Sequence, residues 1–207
     1  MKNRSISFIY FDVGGVVIKD FNGTKYWEEM CESYGMNEEE KLNATAYWKA
    51  ITQELCTTLP VDDIIPTLRA RFHANIPENY SLLNAFVDQF DQNKVIWPLL
   101  KRVRKTHKIG LLTNMYPSMY QLILDKNLLP PIKWDVIVES TQVGFAKPNP
   151  QIFTCAQQTA HTQPENILFI DDNQKNVDAA LNCGWNALKY DVYNREENNE
   201  KILENLY

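Results

Sequence analysis

The sequence predicts an α/β protein built on a mainly parallel sheet, with a helical segment inserted directly after the first strand. Three observations carry the prediction. Five short apolar runs, roughly 7–12, 108–113, 135–138, 166–171 and 186–190, are rich in β-branched or aromatic residues and alternate with helical patterns, as βαβ units do. Between Ile18 and about Asp91 such runs disappear, and apolar residues recur at helical spacing. Polar residues close several of the apolar runs, and in a parallel α/β sheet the carboxyl ends of the strands form one rim where ligands bind.

The first run reads Phe8-Ile9-Tyr10-Phe11-Asp12-Val13-Gly14-Gly15-Val16-Val17. Its paired glycines permit a tight turn that brings backbone N–H groups close to an anion. They are not a dinucleotide fingerprint, because no G-x-G-x-x-G follows. In the inserted segment, Trp27, Met30, Cys31 and Tyr34 recur at i, i+3, i+4 and i+7, and Gly35 stops the pattern as a C′ residue does. Ile64, Ile65, Leu68 and Phe72 repeat the spacing, as do Leu83, Phe86, Val87 and Phe90. The aromatic pairs Tyr26-Trp27 and Tyr47-Trp48 are expected to pack within these helices rather than line a pocket. Phe21, Asn22 and Gly23 stand close enough to the first loop to gate an entrance.

Further on, Pro98 suits the first turn of a helix over 98–106, where its missing N–H costs nothing. Helices are expected over 116–127, 150–160 and 174–183, the last carrying Val177, Ala180 and Leu181 before a stop at Gly184. The tail from Asn194 offers Ile202, Leu203 and Leu206 for packing. The expected division is an α/β core of residues 1–17 and 92–207 with a helical insert of residues 18–91.

Composition narrows the function classes. A net charge of −5 argues against nucleic acid as a partner, since phosphate backbones are met with clustered Lys and Arg. The brief basic run Lys101-Arg102-Val103-Arg104-Lys105 reads as a solvated helix face. Cys31, Cys56, Cys155 and Cys183 lie far apart with no C-x-x-C pair, which is the usage of a reducing compartment and not of a disulfide or zinc framework. No apolar stretch approaches the ~20 residues of a membrane helix. A cytoplasmic protein with no membrane partner is expected. His73, His107 and His161 are scattered, so structural or solvent-facing places are expected for them.

Three later fragments answer the first: Gly110-Leu111-Leu112-Thr113-Asn114, Ala146-Lys147-Pro148 and Leu168-Phe169-Ile170-Asp171-Asp172-Asn173. A carboxylate, a hydroxyl, an ammonium and a carboxylate pair converging on the rim make a phosphate and metal site. The adjacent Asp171-Asp172 repel one another and need a cation or strong donors beside them. Mg²⁺ takes oxygen ligands and keeps several waters, so one or two carboxylates suffice to hold it.

In this order and placement the four fragments resemble the haloacid dehalogenase-like superfamily, in the subgroup with a helical cap after the first motif. The resemblance implies a doubly wound sheet of strand order 5-4-1-2-3, with the insert capping the carboxyl-end rim. It implies that Asp12 is a nucleophile that forms an aspartyl-phosphate. Thr113 would give its hydroxyl to a phosphate oxygen, beside backbone N–H groups of Asn114, Val13 and Gly14. Lys147 would neutralise the nucleophile and the transferring phosphoryl group. Mg²⁺ would be held by Asp172 directly, with Asp12 and the carbonyl of Gly14; Asp171 would reach it through water or hold the Lys147 ammonium. Asn176 would support that shell.

One position departs from the family. Most of its phosphatases carry a second aspartate, a general acid and base, where this chain has Gly14. Such help is typically worth ~10²–10⁴ in rate. A good leaving group, a cap residue or water would have to replace it, unless turnover is lost. The expected function is Mg²⁺-dependent hydrolysis of a small phosphorylated metabolite, a sugar phosphate being one candidate. A module that binds a phosphorylated ligand or a partner without turnover is the alternative. Metal-independent C–halogen hydrolysis is disfavoured by Asp171-Asp172 and by the lack of an Arg at the cap entrance to cradle halide.

Overall fold

The structure, a computed structural model, describes residues 6–21 and 23–206. In chain order it forms β1 (Phe8–Phe11), β2 (Ile18–Lys19), α1 (Tyr26–Ser33), α2 (Glu38–Ala50), α3 (Thr52–Leu55), α4 (Ile65–Phe72) and α5 (Leu82–Val87). There follow β3 (Asp91–Gln92), α6 (Trp97–Val103), β4 (Lys108–Thr113), α7 (Met119–Asp125), β5 (Val136–Glu139), α8 (Ser140–Val143) and α9 (Pro150–Ala160). The chain ends with β6 (Ile167–Asp171), α10 (Gln174–Asn182), β7 (Asn186–Lys189) and α11 (Arg195–Leu206).

Five strands make one parallel sheet in the order β5-β4-β1-β6-β7. Counting only these five along the chain, that is the expected 5-4-1-2-3 read from the opposite edge. β1 lies at the centre, with Phe8 opposite Lys108 on one side and Ile167 on the other. All four of its residues are buried, as a strand covered on both faces requires. Their alternation divides the core into two layers. Ile9 and Phe11 join Leu111, Leu168 and Ile170 on one face; Phe8 and Tyr10 join Leu112, Phe153, Phe169 and Trp185 on the other.

The helices α1 to α5 belong to the first of these layers. Met30, Leu68 and Phe86 share one continuous apolar cluster with Ile9, Phe11 and Leu111. Where this helical segment leaves and rejoins the sheet domain, β2 and β3 pair antiparallel, Ile18 opposite Gln92 and Lys19 opposite Asp91. Sequence reasoning placed no strand there, because two residues are too short to show a period-2 pattern.

Other differences lie at element ends. α6 stops at Val103 and not 106: the His107 N–H donates to the Val103 carbonyl and turns the chain into β4. α7 begins at Met119 and not 116, since Pro117 disfavours helical backbone at Tyr116 and Ser118 is left-handed at φ 68°. α2 is announced by a local signal: Asn37 accepts from the Glu40 N–H while Glu40 accepts from the Asn37 N–H. Ile202 in α11 is buried as the tail pattern expects. Among the described residues no helix is long and apolar enough to cross a membrane.

Candidate active site

Asp12 is the first residue beyond β1. Its N–H donates to the Ile170 carbonyl at 2.9 Å, extending the β1–β6 ladder by one bond and setting the residue at the carboxyl rim. Its Oδ1 accepts from the Val13 N–H at 2.7 Å. The following turn carries two glycines. Gly14 is extended (φ −65°, ψ 137°), and a Cβ there would stand 2.6 Å from Oδ2 of Asp20. Gly15 is left-handed at φ 73°, and a Cβ there would collide with the Asp172 carboxylate. Bare backbone is thus what lets two carboxylates close on the turn. Asn93, fully buried, donates from Nδ2 to the Val16 carbonyl at 2.6 Å and to the Tyr190 hydroxyl at 3.3 Å. Arg195 donates to the Gly15 carbonyl at 3.1 Å.

Thr113 closes β4 and is 1% exposed. The side chain of Asn114 grips the backbone of Lys147: Nδ2 donates to its carbonyl at 2.9 Å, and Oδ1 accepts from its N–H at 2.8 Å. Lys147, also buried, spends all three ammonium protons. They go to the Leu112 carbonyl at 2.9 Å, Oδ2 of Asp171 at 2.6 Å and Oδ1 of Asp12 at 2.9 Å. Asp171, 0% exposed, closes β6; beyond Lys147 it accepts from the Asn173 N–H at 2.8 Å and from Asn176 Nδ2 at 3.1 Å on each oxygen.

Carboxylate oxygens of Asp12, Asp171 and Asp172 lie within 4.8 Å of one another. Three acids share one ammonium, so the cluster is short of positive charge. Burial holds the Asp12 carboxyl well above the usual range, opposed by Lys147 and reinforced by the charges of Asp171 and Asp172. Burial, then the charges of Asp171 and Asp20, push Asp172 up to about 6. Lys147 is held above its usual range by Asp12 and Asp171, against the burial that favours the neutral amine. This all-oxygen, over-acidic donor set fits a hard divalent cation such as Mg²⁺. Both oxygens of Asp171 are already engaged by protein donors, so the open positions belong to Asp12 and Asp172.

The rim therefore brings together Asp12, Lys147, Asp171 and Asp172, with Val13 and Gly14 in the adjoining turn and Thr113 and Asn114 at the end of the neighbouring strand. His73 faces Glu40 at 2.7 Å, and His107 and His161 lie elsewhere. Trp27 and Trp48 pack against each other at 4.8 Å between ring centroids, with Trp48 set edge-on to Phe86 and Tyr116. Those four aromatics also line a small cavity of about 120 Å³, so packing and pocket lining coincide there. Phe21 joins the same aromatic group; Asn22 lies outside the described residues. Sequence reasoning missed Asp20, Asn93, Arg195, Cys56 and Tyr116. Each acts through a fold contact, and none carries a local motif. A cavity of about 260 Å³ opens beside Gly14, Asp20 and Asn114 and reaches Cys56 and Tyr116.

The family model for haloacid dehalogenase-like hydrolases matches residues 6–184. Bifunctional epoxide hydrolase 2 of Sus scrofa is 32% identical over 108 residues, covering 47% of this chain but only 19% of that protein. Phosphatase MT3486 of Mycobacterium tuberculosis is 25% identical over 197 residues, 90% of this chain and 88% of its own. Among solved structures, the enzyme bt-2542 of Bacteroides thetaiotaomicron, crystallised with magnesium and inorganic phosphate, superposes with a TM-score of 0.71 at 19% identity over 90% of this chain and 95% of its own. Sheet order, motif order and family match agree: this chain belongs to the haloacid dehalogenase-like hydrolases.

Proposed function

We propose that the protein is a Mg²⁺-dependent phosphatase acting on a small phosphomonoester through an aspartyl-phosphate on Asp12. The observation that carries this reading is the buried Lys147 ammonium, bonded at once to Asp12 and Asp171, with Asp172 left within ligand distance of Asp12. An ion pair of that kind opposes the burial that favours the protonated carboxyl and aims Asp12 inside a buried site.

In this reading Asp12 attacks phosphorus, the bond to the leaving oxygen breaks, and water later hydrolyses the aspartyl-phosphate, releasing inorganic phosphate and restoring the Asp12 carboxylate. Lys147 offsets the charge that gathers between nucleophile and phosphoryl group. Thr113 and the backbone N–H groups of Asn114, Val13 and Gly14 bind phosphoryl oxygens. Asp12, Asp172 and the Gly14 carbonyl would hold Mg²⁺, which when bound would neutralise charge on the phosphate. Asp171 fixes Lys147, and Asn176 with the Asn173 N–H fixes Asp171. Gly14 has no proton to give; the Asp20 carboxyl, beside the space a side chain at 14 would fill, is the group placed to assist the leaving oxygen. Residues 18–91 serve as the cap that shields the rim.

The test is phosphate release from a panel of phosphate esters and acyl phosphates, with and without Mg²⁺. Release that requires Mg²⁺ and disappears in Asp12→Asn, with that variant's circular dichroism and melting unchanged, is the expected result. Full activity in Asp12→Asn ends the mechanism. Tight phosphate binding by the native protein without turnover of any ester moves the reading to a binding module.

A further inference from the structure

The cavity beside Gly14 and Asn114 adjoins the turn that follows Asp12, and its lining limits what a group leaving the rim in that direction can be. Its volume is about 260 Å³. A cavity of about 150 Å³ with apolar walls is enough to hold benzene, so a ring and its linkage fit here. Volume alone would also admit a hexose. The aromatic and aliphatic part of the wall favours the ring.

Six apolar side chains line one part of the space: Ile18, Phe21, Phe90, Met115, Met119 and Ile123. Phe21 and Phe90 are stacked at 5.9 Å with planes 27° apart, a flat aromatic wall. Four polar side chains line the rest: Asp20, Asn114, Cys56 and Tyr116. The Asn114 amide is committed at both ends to Lys147. Burial pushes the Tyr116 hydroxyl above its ordinary range, so it stays neutral; it accepts from the Trp48 N–H and keeps one proton to donate. The Cys56 thiol, pushed up to about 11 by burial, is a weak neutral donor. Asp20 lines the end next to Gly14. A hexose would bring about four hydroxyls to these walls. Each one left without a partner costs roughly tenfold in affinity.

We infer that the substrate is a small aryl phosphate, its ring lodged between Phe21–Phe90 and the Met115, Met119 and Ile123 side chains. The inference rests on the phosphatase reading and names the substrate class for the same site. It also accounts for Gly14. A phenolic oxygen, with a conjugate acid near pKa 10 as in tyrosine, leaves with far less need of a proton than an alkoxide does.

The experiment compares kcat/KM for phenyl phosphate, 1-naphthyl phosphate, glucose 6-phosphate and acetyl phosphate in Mg²⁺, for the native protein and two variants. Phenyl phosphate should exceed glucose 6-phosphate by about 100-fold, the cost of about two unpaired hydroxyls. Phe90→Ala, which opens the wall, should raise the naphthyl-to-phenyl ratio at least fivefold. Met119→Trp, which narrows it, should lower the phenyl-to-acetyl ratio by a similar factor, because acetate takes up little of the cavity. A higher value for glucose 6-phosphate, or variants that change every substrate by one common factor as loss of packing would, overturns the aryl assignment and leaves the phosphatase standing. No release from any compound, acetyl phosphate included, overturns both.

Discussion

Lys147 concentrates the site's electrostatics in one side chain. Its three protons tie the β4 carbonyl of Leu112 to carboxylates from β1 and β6. Replacing it with methionine would leave Asp12 and Asp171 buried with no counter-charge. The expected loss is ~3–5 kcal/mol, read as a drop in melting temperature that added Mg²⁺ partly reverses. Asp172 makes a second prediction, with a definite sign. Its carboxyl rises from 3.8 in the open chain to about 6 in the fold, so the folded state keeps a proton the unfolded state has released. That contribution to stability is present below about pH 4 and is lost as pH climbs through 6. Without metal, the protein should lose on the order of 2 kcal/mol between pH 4 and 7 from this group. The facing charges of Asp171 and Asp20 steepen the effect and Lys147 softens it. Mg²⁺ should flatten the profile above pH 6; a melting curve indifferent to Mg²⁺ at pH 7.5 would argue against metal at Asp172.

At the scale of elements, the turn after β1 is held from outside. Asn93, just past β3, bonds the Val16 carbonyl, and Arg195, the first residue of α11, bonds the Gly15 carbonyl. Asn93→Ala strands a buried acceptor, so a loss of ~1–3 kcal/mol is expected, together with slower turnover because the loop carrying Asp12 loses its brace. Gly15→Ala should be harsher. It forces a side chain into left-handed backbone and into the Asp172 carboxylate, which predicts both a lower melting temperature and weaker Mg²⁺ binding. Calorimetric titration with Mg²⁺ separates the two effects. Gly14→Ala meets only the end of the Asp20 side chain, which can swing aside, so its melting temperature should hardly change while its reaction slows.

For the whole molecule the notable fact is a shared core. Among the described residues the helical segment has no apolar interior separate from the sheet: Met30, Leu68 and Phe86 continue the cluster that contains Ile9 and Leu111. Unfolding should therefore be one cooperative transition. Tryptophan fluorescence reports on both regions, through Trp27 and Trp48 in the helical segment and Trp185 beneath the opposite face of the sheet. Single-tryptophan variants of the two regions should give coincident urea midpoints. A helical segment melting first would show that the layers are separable.

The five sheet strands and the helix α9 were legible because period and punctuation are local. Asn149 caps α9 and Pro150 opens it, and both are visible without any partner. The ribbon of β2 and β3 was not, since its pairing joins residues more than seventy positions apart and neither strand is long enough to show a pattern. In the site, Asp12, Thr113, Asn114, Lys147, Asp171 and Asp172 could be read because each stands where an apolar run stops. By itself the sequence determined the fold class, the family and the chemical types gathered at the rim, all properties written in neighbouring residues. Only the tertiary structure decided that Asp171 serves Lys147, that Asp20 closes over Gly14, and that the space beyond them is walled by Phe21, Phe90 and Met119. Those depend on which distant side chains the packed sheet and helices bring within bonding distance, and burial then sets their charge.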